Sequence, residues 1–119
     1  YLDYGEYRYF ISFQYSMLSN DHNQLIPGSY QLFQNYPNPF NPNTRIMYNL
    51  PEEQFVKITI YNMLGHKVKT LVNKSQKAGL KTINWNGSDD YNKKLPSGLY
   101  LYSIQSGSFN ETKKMLYLK

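Results

Sequence analysis

The sequence predicts an all-β sandwich, and three features of composition and pattern indicate it. Aromatic residues make up 17% of the chain, and 13 of them are tyrosines, which favour strands over helix interiors. Alanine, the strongest helix former, occurs only at Ala78. Apolar residues recur at every second position in short runs separated by proline and glycine, as in half-buried strands. A chain of 119 residues has the size of one domain with a short appendage.

Residues 7–17 predict a long additional strand near the amino terminus. One face of this strand carries apolar and aromatic side chains: Tyr7, Tyr9, Ile11, Phe13, Tyr15 and Met17. Such a face must be buried against another element. We assign residues 1–29 to this strand and a linker, and two interpretations remain open. The strand either ends a preceding domain or is donated to a neighbouring copy of the chain.

Residues 35–44, the proline-rich segment, predict a rigid extended stretch rather than a helix or a central strand. Pro37, Pro39 and Pro42 fix φ, remove three hydrogen-bond donors and favour extended geometry in the residues before them. Tyr36 and Phe40 are the large apolar side chains of the segment. We expect both rings to anchor it on the sandwich.

Six strands are predicted from residue 45 onward, with a seventh around residues 30–33. They cover residues 45–50, 54–62, 66–73, 80–85, 99–105 and 109–118. Residues 66–73 would also suit a short helix, whereas residues 99–105 are apolar on both faces, as in a central strand. Seven short strands with regular turn signals are typical of an immunoglobulin-like sandwich, which we place at residues 30–119. The single tryptophan, Trp85, is expected in the core between the two sheets.

The charge pattern excludes two kinds of partner. The net charge is +5, the isoelectric point is near 9.3, and the lysines are scattered over residues 57–119. Solvated strand faces explain scattered lysines, because lysine on an exposed strand discourages edge pairing. Nucleic-acid binding needs a focused basic stripe, and the arginines are only Arg8 and Arg45. No stretch approaches the roughly 18 apolar residues that span a bilayer, so we predict no transmembrane segment.

No group of residues predicts catalysis or a cofactor. Asp89 and Asp90, with Asn86 and Ser88, could offer oxygen ligands to calcium. They lack the spaced ligands of a calcium-binding loop, so a hairpin turn is the simpler interpretation. His22 and His66 have no acidic or histidine partner nearby in sequence, and catalytic or metal sites need several converging groups. We therefore expect a protein that is not an enzyme and that holds no cofactor or metal.

Three segments together resemble one protein family. They are residues 34–42 with Tyr36, Pro37, Asn38, Pro39 and Phe40, residues 56–65 with Gly65, and residues 85–115 with Trp85, Gly98, Lys113 and Lys114. Their order and spacing resemble the type A carboxy-terminal sorting domain of proteins exported by the bacterial type IX secretion system. The sequence is also similar to the immunoglobulin-like domain of the flagellar hook-cap protein. It departs from the sorting family at Asn86, where aspartate usually precedes the glycine, so a carboxylate-dependent role for this turn is weakened.

The resemblance implies a non-catalytic sorting module at the carboxy terminus of a larger exported bacterial protein. An outer-membrane secretion translocon would recognise the module, which is then removed or attaches its cargo to the cell surface. The protein would be secreted or lie on the outer cell surface. We expect recognition through the last strand, with Lys113, Lys114 and Lys119 as contacts. The residues expected to hold the fold are Tyr36, Pro37, Asn38, Pro39, Phe40, Gly65, Trp85 and Gly98.

Two further functions remain open. Residues 1–18 could be donated as a strand to the next copy, which would make the chain a structural subunit of an extracellular filament with other copies of itself as partners. Alternatively, exposed tyrosines could form a carbohydrate-binding surface, because an aromatic ring offers a flat apolar platform with a polar edge. Neither alternative changes the predicted fold.

Overall fold

The structure, a computed structural model, describes residues 28–119 as two packed antiparallel sheets. The strands are β1 (Gln31–Leu32), β2 (Thr44–Leu50), β3 (Gln54–Tyr61), β4 (Lys67–Gln76), β5 (Gly79–Trp85), β6 (Gly98–Ser106) and β7 (Phe109–Tyr117). One sheet has the order β1-β2-β5 and the other the order β4-β3-β6-β7. The predicted seven-stranded, all-β sandwich is confirmed. The strand predicted at residues 7–17, with its proposed donation, lies outside the described residues.

The stretch that also suited a short helix is strand β4, and two bulges explain its misleading pattern. Thr70 lies opposite Thr59 and Val72 lies opposite Ile58, so Leu71 is an extra residue in β4. In the same way, Lys69 lies opposite Ile60 and Lys67 lies opposite Tyr61, so Val68 is a second extra residue in β4. Both skipped side chains pack against the core. The bulges therefore replace strict alternation with an irregular spacing of apolar residues that resembles a helical face.

A cluster of four aromatic rings fills one end of the core. Phe40 stacks on Tyr117 with ring centroids 4.9 Å apart and lies 5.6 Å from Trp85. Trp85 meets Tyr100 edge-on at 5.6 Å. The Trp85 side chain is 2% exposed, and its indole N–H donates to the Ser88 carbonyl at 2.8 Å. The predicted place of the tryptophan between the two sheets is confirmed.

The proline-rich segment crosses from the three-stranded sheet to the free side of β7. Tyr36 and Arg45 exchange two backbone hydrogen bonds of 2.9 Å beside β2. Four residues later the Phe40 N–H donates to the Leu116 carbonyl, and the Phe40 carbonyl accepts from the Leu118 N–H, both at 3.0 Å. The side chain of Phe40 is 1% exposed, whereas that of Tyr36 is 38% exposed. The ring of Phe40 is thus an anchor in the core, while the anchoring role expected of the more exposed Tyr36 ring stays a prediction.

A buried hydroxyl ties the start of this segment to β6. The Tyr102 hydroxyl donates to the Phe33 carbonyl and accepts from the Asn35 N–H, each at 2.8 Å, on a side chain with no exposed surface. We expect Tyr102→Phe to lower the free energy of unfolding by about 1–3 kcal/mol, because both backbone groups lose a buried partner. Urea unfolding measures this loss. Tyr91→Phe is the control, since Tyr91 is 85% exposed, and an equal effect of the two changes would contradict the prediction.

Candidate recognition surface on the last strand

The outer edge of β7 is covered along its second half. The Lys114 carbonyl accepts from the Gln34 side-chain amide at 2.7 Å, and the Leu116 N–H donates to the Asn38 side-chain oxygen at 2.9 Å. The backbone pairing of Phe40 with Leu116 and Leu118 continues the cover to the end of the strand. The proline-rich segment and the residue before it therefore satisfy the backbone groups that a free edge strand would expose.

The first half of the same edge is open. By strand alternation, the backbone groups of Asn110 and Thr112 point to the same side as those of Lys114. Within residues 28–119, neither of them has a hydrogen-bond partner on that side. Glu111 and Lys113, whose charged groups are 3.4 Å apart, flank this opening. The open stretch is thus short and charged, which are features that limit strand addition.

Leucines lie on the outer face of the four-stranded sheet, close to the end of β7. Leu99 pairs with Leu116 across β6 and β7, while Leu101 follows two positions along on the same face. Leu118 lies just beyond β7. Leu99 and Leu118 are 44% and 45% exposed. None of the four belongs to the core, so together they form an apolar surface, which we name the leucine patch.

The three lysines predicted as contacts do not share one face. Lys114 pairs with Leu101 and is therefore beside the leucine patch on the outer face. Lys113 pairs with the buried Tyr102, points to the opposite side of the sheet and is bound to Glu111. Lys119 is exposed at the end of the described chain, and its N–H donates to the Ser97 hydroxyl at 2.9 Å. Only Lys114 and Lys119 thus adjoin the patch.

The hairpin between β3 and β4 adds apolar surface at the same end of the sheet. Gly65, with φ of 88°, allows the tight turn, and Met63 and Leu64 at its tip are 55% and 81% exposed. Tyr61, the last residue of β3, lies opposite Leu101 and connects the tip to the leucine patch. Gly98 begins β6 at this end, so two of the predicted motif glycines border the surface.

The acidic turn between β5 and β6 is organised by its own backbone. One oxygen of Asp89 accepts from the N–H groups of Tyr91 and Lys93 at 2.8 and 2.9 Å. Asp90 accepts from the Thr70 N–H at 3.1 Å. The Asn86 side-chain oxygen accepts from the Ser88 N–H at 3.2 Å, which is a turn contact that aspartate could also make. These oxygens hold amides of the turn and of β4, as the hairpin-turn interpretation expects.

His66 adds no metal-binding cluster to this turn. His66 is exposed in the β3–β4 hairpin, where its N–H donates to the Asn62 side-chain oxygen at 3.0 Å. His22 lies outside the described residues. Within residues 28–119 no three histidine, cysteine or acidic side chains are grouped as metal ligands would be. The same part of the chain contains no helix long and apolar enough to cross a membrane.

The Asp89 carboxylate gives the turn a dependence on pH. The hydrogen bond from the Lys93 N–H is the main cause that holds the pKa of Asp89 below its ordinary value of 3.8. A lowered pKa in the folded state stabilises the turn above pH 3.8, and this stabilisation is lost as the pH falls through the lowered value. We expect the amide signals of Tyr91 and Lys93 to shift in NMR spectra with a midpoint below 3.8.

The Asp89→Asn variant is the control for this titration, because it keeps the acceptor oxygen and removes the ionisation. Its amide signals should not move over the same range. A midpoint at or above 3.8 in the unmodified protein would contradict the assignment of the two hydrogen bonds.

The fold and this surface define a class of protein: a small antiparallel β-sandwich with a partly apolar outer face. The family described as the secretion system C-terminal sorting domain matches residues 34–117, and the chain belongs to this family. The domain is a sorting signal of proteins that the type IX secretion system exports to the cell surface or the extracellular space. Such sorting domains are generally non-catalytic. The predicted family and localisation are confirmed.

Solved structures with a similar fold include parts of PorU, FlgD and PorZ. Dimeric latent PorU from Porphyromonas gingivalis aligns over 79% of this chain and 10% of its own, with a TM-score of 0.58 and 19% identity. FlgD from P. aeruginosa aligns over 62% of this chain and 58% of its own, with a TM-score of 0.50 and 24% identity. PorZ, a surface component of the type IX secretion system of P. gingivalis, aligns over 76% and 12%, with a TM-score of 0.50 and 13% identity.

At sequence identities of 13% to 24%, the structural similarity establishes a shared fold and nothing about function. The chain spans about a tenth of the PorU and PorZ chains and 58% of FlgD. No curated protein sequence matches this one. The type IX assignment therefore depends on the family match over residues 34–117.

Proposed function

We propose that residues 30–119 direct an exported protein to the outer-membrane translocon of the type IX system, which binds the leucine patch and Lys114. The observation that carries the proposal is the position of this patch, since four leucines are solvent-accessible on a sheet whose other face is packed in the core. An apolar patch with a charged rim on a rigid element is typical of a protein-binding surface.

Recognition of the folded face fits the state of the β7 edge. Strand addition needs a row of free backbone donors and acceptors. Gln34 and the proline-rich segment already bind the edge at residues 114–118, and Glu111 and Lys113 flank the part of β7 that stays open. The translocon would therefore bind side chains on the outer face rather than extend the sheet. Lys114 and Lys119 at the border favour a partner with acidic groups around an apolar groove.

The test is export of a reporter by a bacterium that has the type IX system. A periplasmic reporter fused to the amino terminus of the complete chain should be found outside the cell. The same reporter without the chain is the control and should remain periplasmic. Retention of the fusion in the periplasm, with the domain folded, would count against the proposal.

We also propose that the domain attaches its cargo to the cell surface. The exported reporter should then sediment with the cells, whereas its recovery from the medium would count against attachment. The filament alternative depends on residues 1–18, which lie outside the described residues. Electron microscopy of the purified chain separates the two functions, because a sorting module forms no filaments and a strand-donating subunit does.

A further inference from the structure

A second surface lies on the outer face of the three-stranded sheet, away from the leucine patch. Tyr36 pairs with Arg45 across one backbone bridge, and Arg45 pairs with Asn84 across the next. Directly paired residues point to the same face, and neighbouring strands are about 5 Å apart. An aromatic ring, a guanidinium and an amide therefore stand in one row, and all three side chains are exposed.

The row lines two adjoining depressions. One depression of about 430 Å³ lies against Tyr36, Pro37 and Arg45, and a second of about 350 Å³ lies against Lys69, Asn86 and Asn92. Asn43 and Asn84 line both depressions, so the two adjoin each other, and we name them together the amide groove. Volumes of this order are typical of sites for small molecules or short polymer segments.

The polar groups of the amide groove are available to a ligand. Within residues 28–119, the side chains of Asn43, Asn84 and Asn92 make no hydrogen bond, and each amide offers two donors and an acceptor. The Arg45 guanidinium likewise has no acidic partner there. Arg45 and Lys69 contribute positive charge, and no carboxylate is among the lining residues, although Lys69 is close enough to Asp89 to lower the pKa of its carboxyl. The site thus suits a ligand that is rich in hydroxyls and carries negative charge.

We infer that the amide groove binds an acidic polysaccharide. The exposed ring of Tyr36 would stack on the apolar face of a sugar, and the amides of Asn43 and Asn84 would donate to and accept from neighbouring hydroxyls. Arg45 would bind a carboxylate of the polymer through its planar pair of donors. A nucleic acid fits less well, because its closely spaced phosphates need a stripe of cations and the groove has two.

The rigidity of the row supports this inference. The backbone bonds between Tyr36 and Arg45 are both 2.9 Å, and the Thr44 hydroxyl donates to the Pro37 carbonyl at 2.9 Å while accepting from the buried Asn35 amide. These contacts fix the strands that carry the ring and the guanidinium before any ligand binds. A preorganised site loses less entropy on binding, which matters for the weak single contacts that sugars make.

The test is affinity electrophoresis of the complete chain in gels that contain polygalacturonate, neutral dextran, polyaspartate or poly-dT. We expect polygalacturonate to retard the protein most. Tyr36→Ala and Arg45→Gln should each weaken this binding about fivefold, the size of one stacking or charged contact. The matched controls are Phe55→Ala, another exposed ring, and Lys57→Gln, which removes the same charge elsewhere. Each control should change binding by about twofold or less.

Several outcomes would overturn the inference. Absence of retardation by polygalacturonate would do so, and so would equal retardation by dextran, by polyaspartate or by poly-dT. Equal effects of Arg45→Gln and Lys57→Gln would mean that the binding is only the general attraction between a basic protein and a polyanion. Asn84→Asp is the second variant, because it keeps the shape of an exposed side chain while adding a repelling charge, and it should weaken binding with the fold intact by circular dichroism. The inference does not depend on translocon binding, since Tyr36, Arg45 and Asn84 lie on the opposite sheet from the leucine patch.

Discussion

Phe40→Ala is expected to lower the free energy of unfolding by about 3–5 kcal/mol, as for other buried phenylalanines. The ring is 1% exposed and lies 4.9 Å from Tyr117 and 5.6 Å from Trp85, so its removal leaves a cavity in the aromatic end of the core. The change also removes the side chain that holds the proline-rich segment against β7. Urea unfolding followed by Trp85 emission measures the loss directly, because the indole adjoins the cavity.

The matched control for this prediction is Phe55→Ala. Phe55 has the same side chain but is 49% exposed on the outer face of β3. We expect a loss of about 1 kcal/mol or less for this exposed site. A small loss for Phe40→Ala, equal to that of the control, would contradict the assignment of Phe40 as the anchor of the segment.

Gly87→Ala is the second change with a large expected effect. Gly87 has φ of 77°, and a Cβ atom there would lie 2.5 Å from Cζ of Tyr117. The buried ring cannot move aside freely, and a shift of the backbone would disturb the Leu95 N–H bond to the Gly87 carbonyl at 2.8 Å. Left-handed strain and overpacking together should lower the free energy of unfolding by about 2–4 kcal/mol.

Gly65→Ala separates the two causes. Gly65 has φ of 88°, but a Cβ atom there would meet no other atom within 4 Å. This variant should therefore lose about 1 kcal/mol, from backbone strain alone. Thermal unfolding of both proteins checks the difference. Equal losses would mean that the Tyr117 ring imposes no constraint on Gly87.

Most strands could be predicted because each keeps one face in the core. β3 shows this directly, since Val56, Ile58 and Ile60 are buried in the core, while Phe55 and Lys57 on the opposite face are exposed. β4 was ambiguous, because bulges at Val68 and Leu71 break the alternation, and a bulge depends on its partner strand. The pairing of two distant segments is not encoded in either one alone.

The leucine patch could not be predicted from the same pattern. Residues 99–105 are apolar on both faces, and a central strand explains this when both faces are covered. β6 is indeed central within its sheet, but Leu99 is 44% exposed because no described element packs on the outer face there. The contacts of Gln34 and Asn38 with β7 were also missed, since their partners lie about 80 residues away in sequence.

The proline-rich segment contributes both to the stability of the sandwich and to the surface proposed for recognition. The Phe40 side chain of this segment belongs to the core. The Phe40 backbone pairs with the edge of β7 beside the leucine patch. A chain that loses this anchor would expose a free strand edge next to an apolar face, which favours aggregation. Export should therefore need both a stable sandwich and an accessible patch.

The most direct measurement is the fraction of a fused reporter found outside the cell for a patch variant, Leu99→Thr with Leu116→Thr. Threonine is β-branched and therefore favoured in strands, so the domain should remain folded while the patch becomes polar. The control is Phe55→Thr, at the far end of the same sheet face. The account predicts that the patch variant stays in the periplasm and that the control is exported like the unmodified chain. Normal export of a folded patch variant would contradict it.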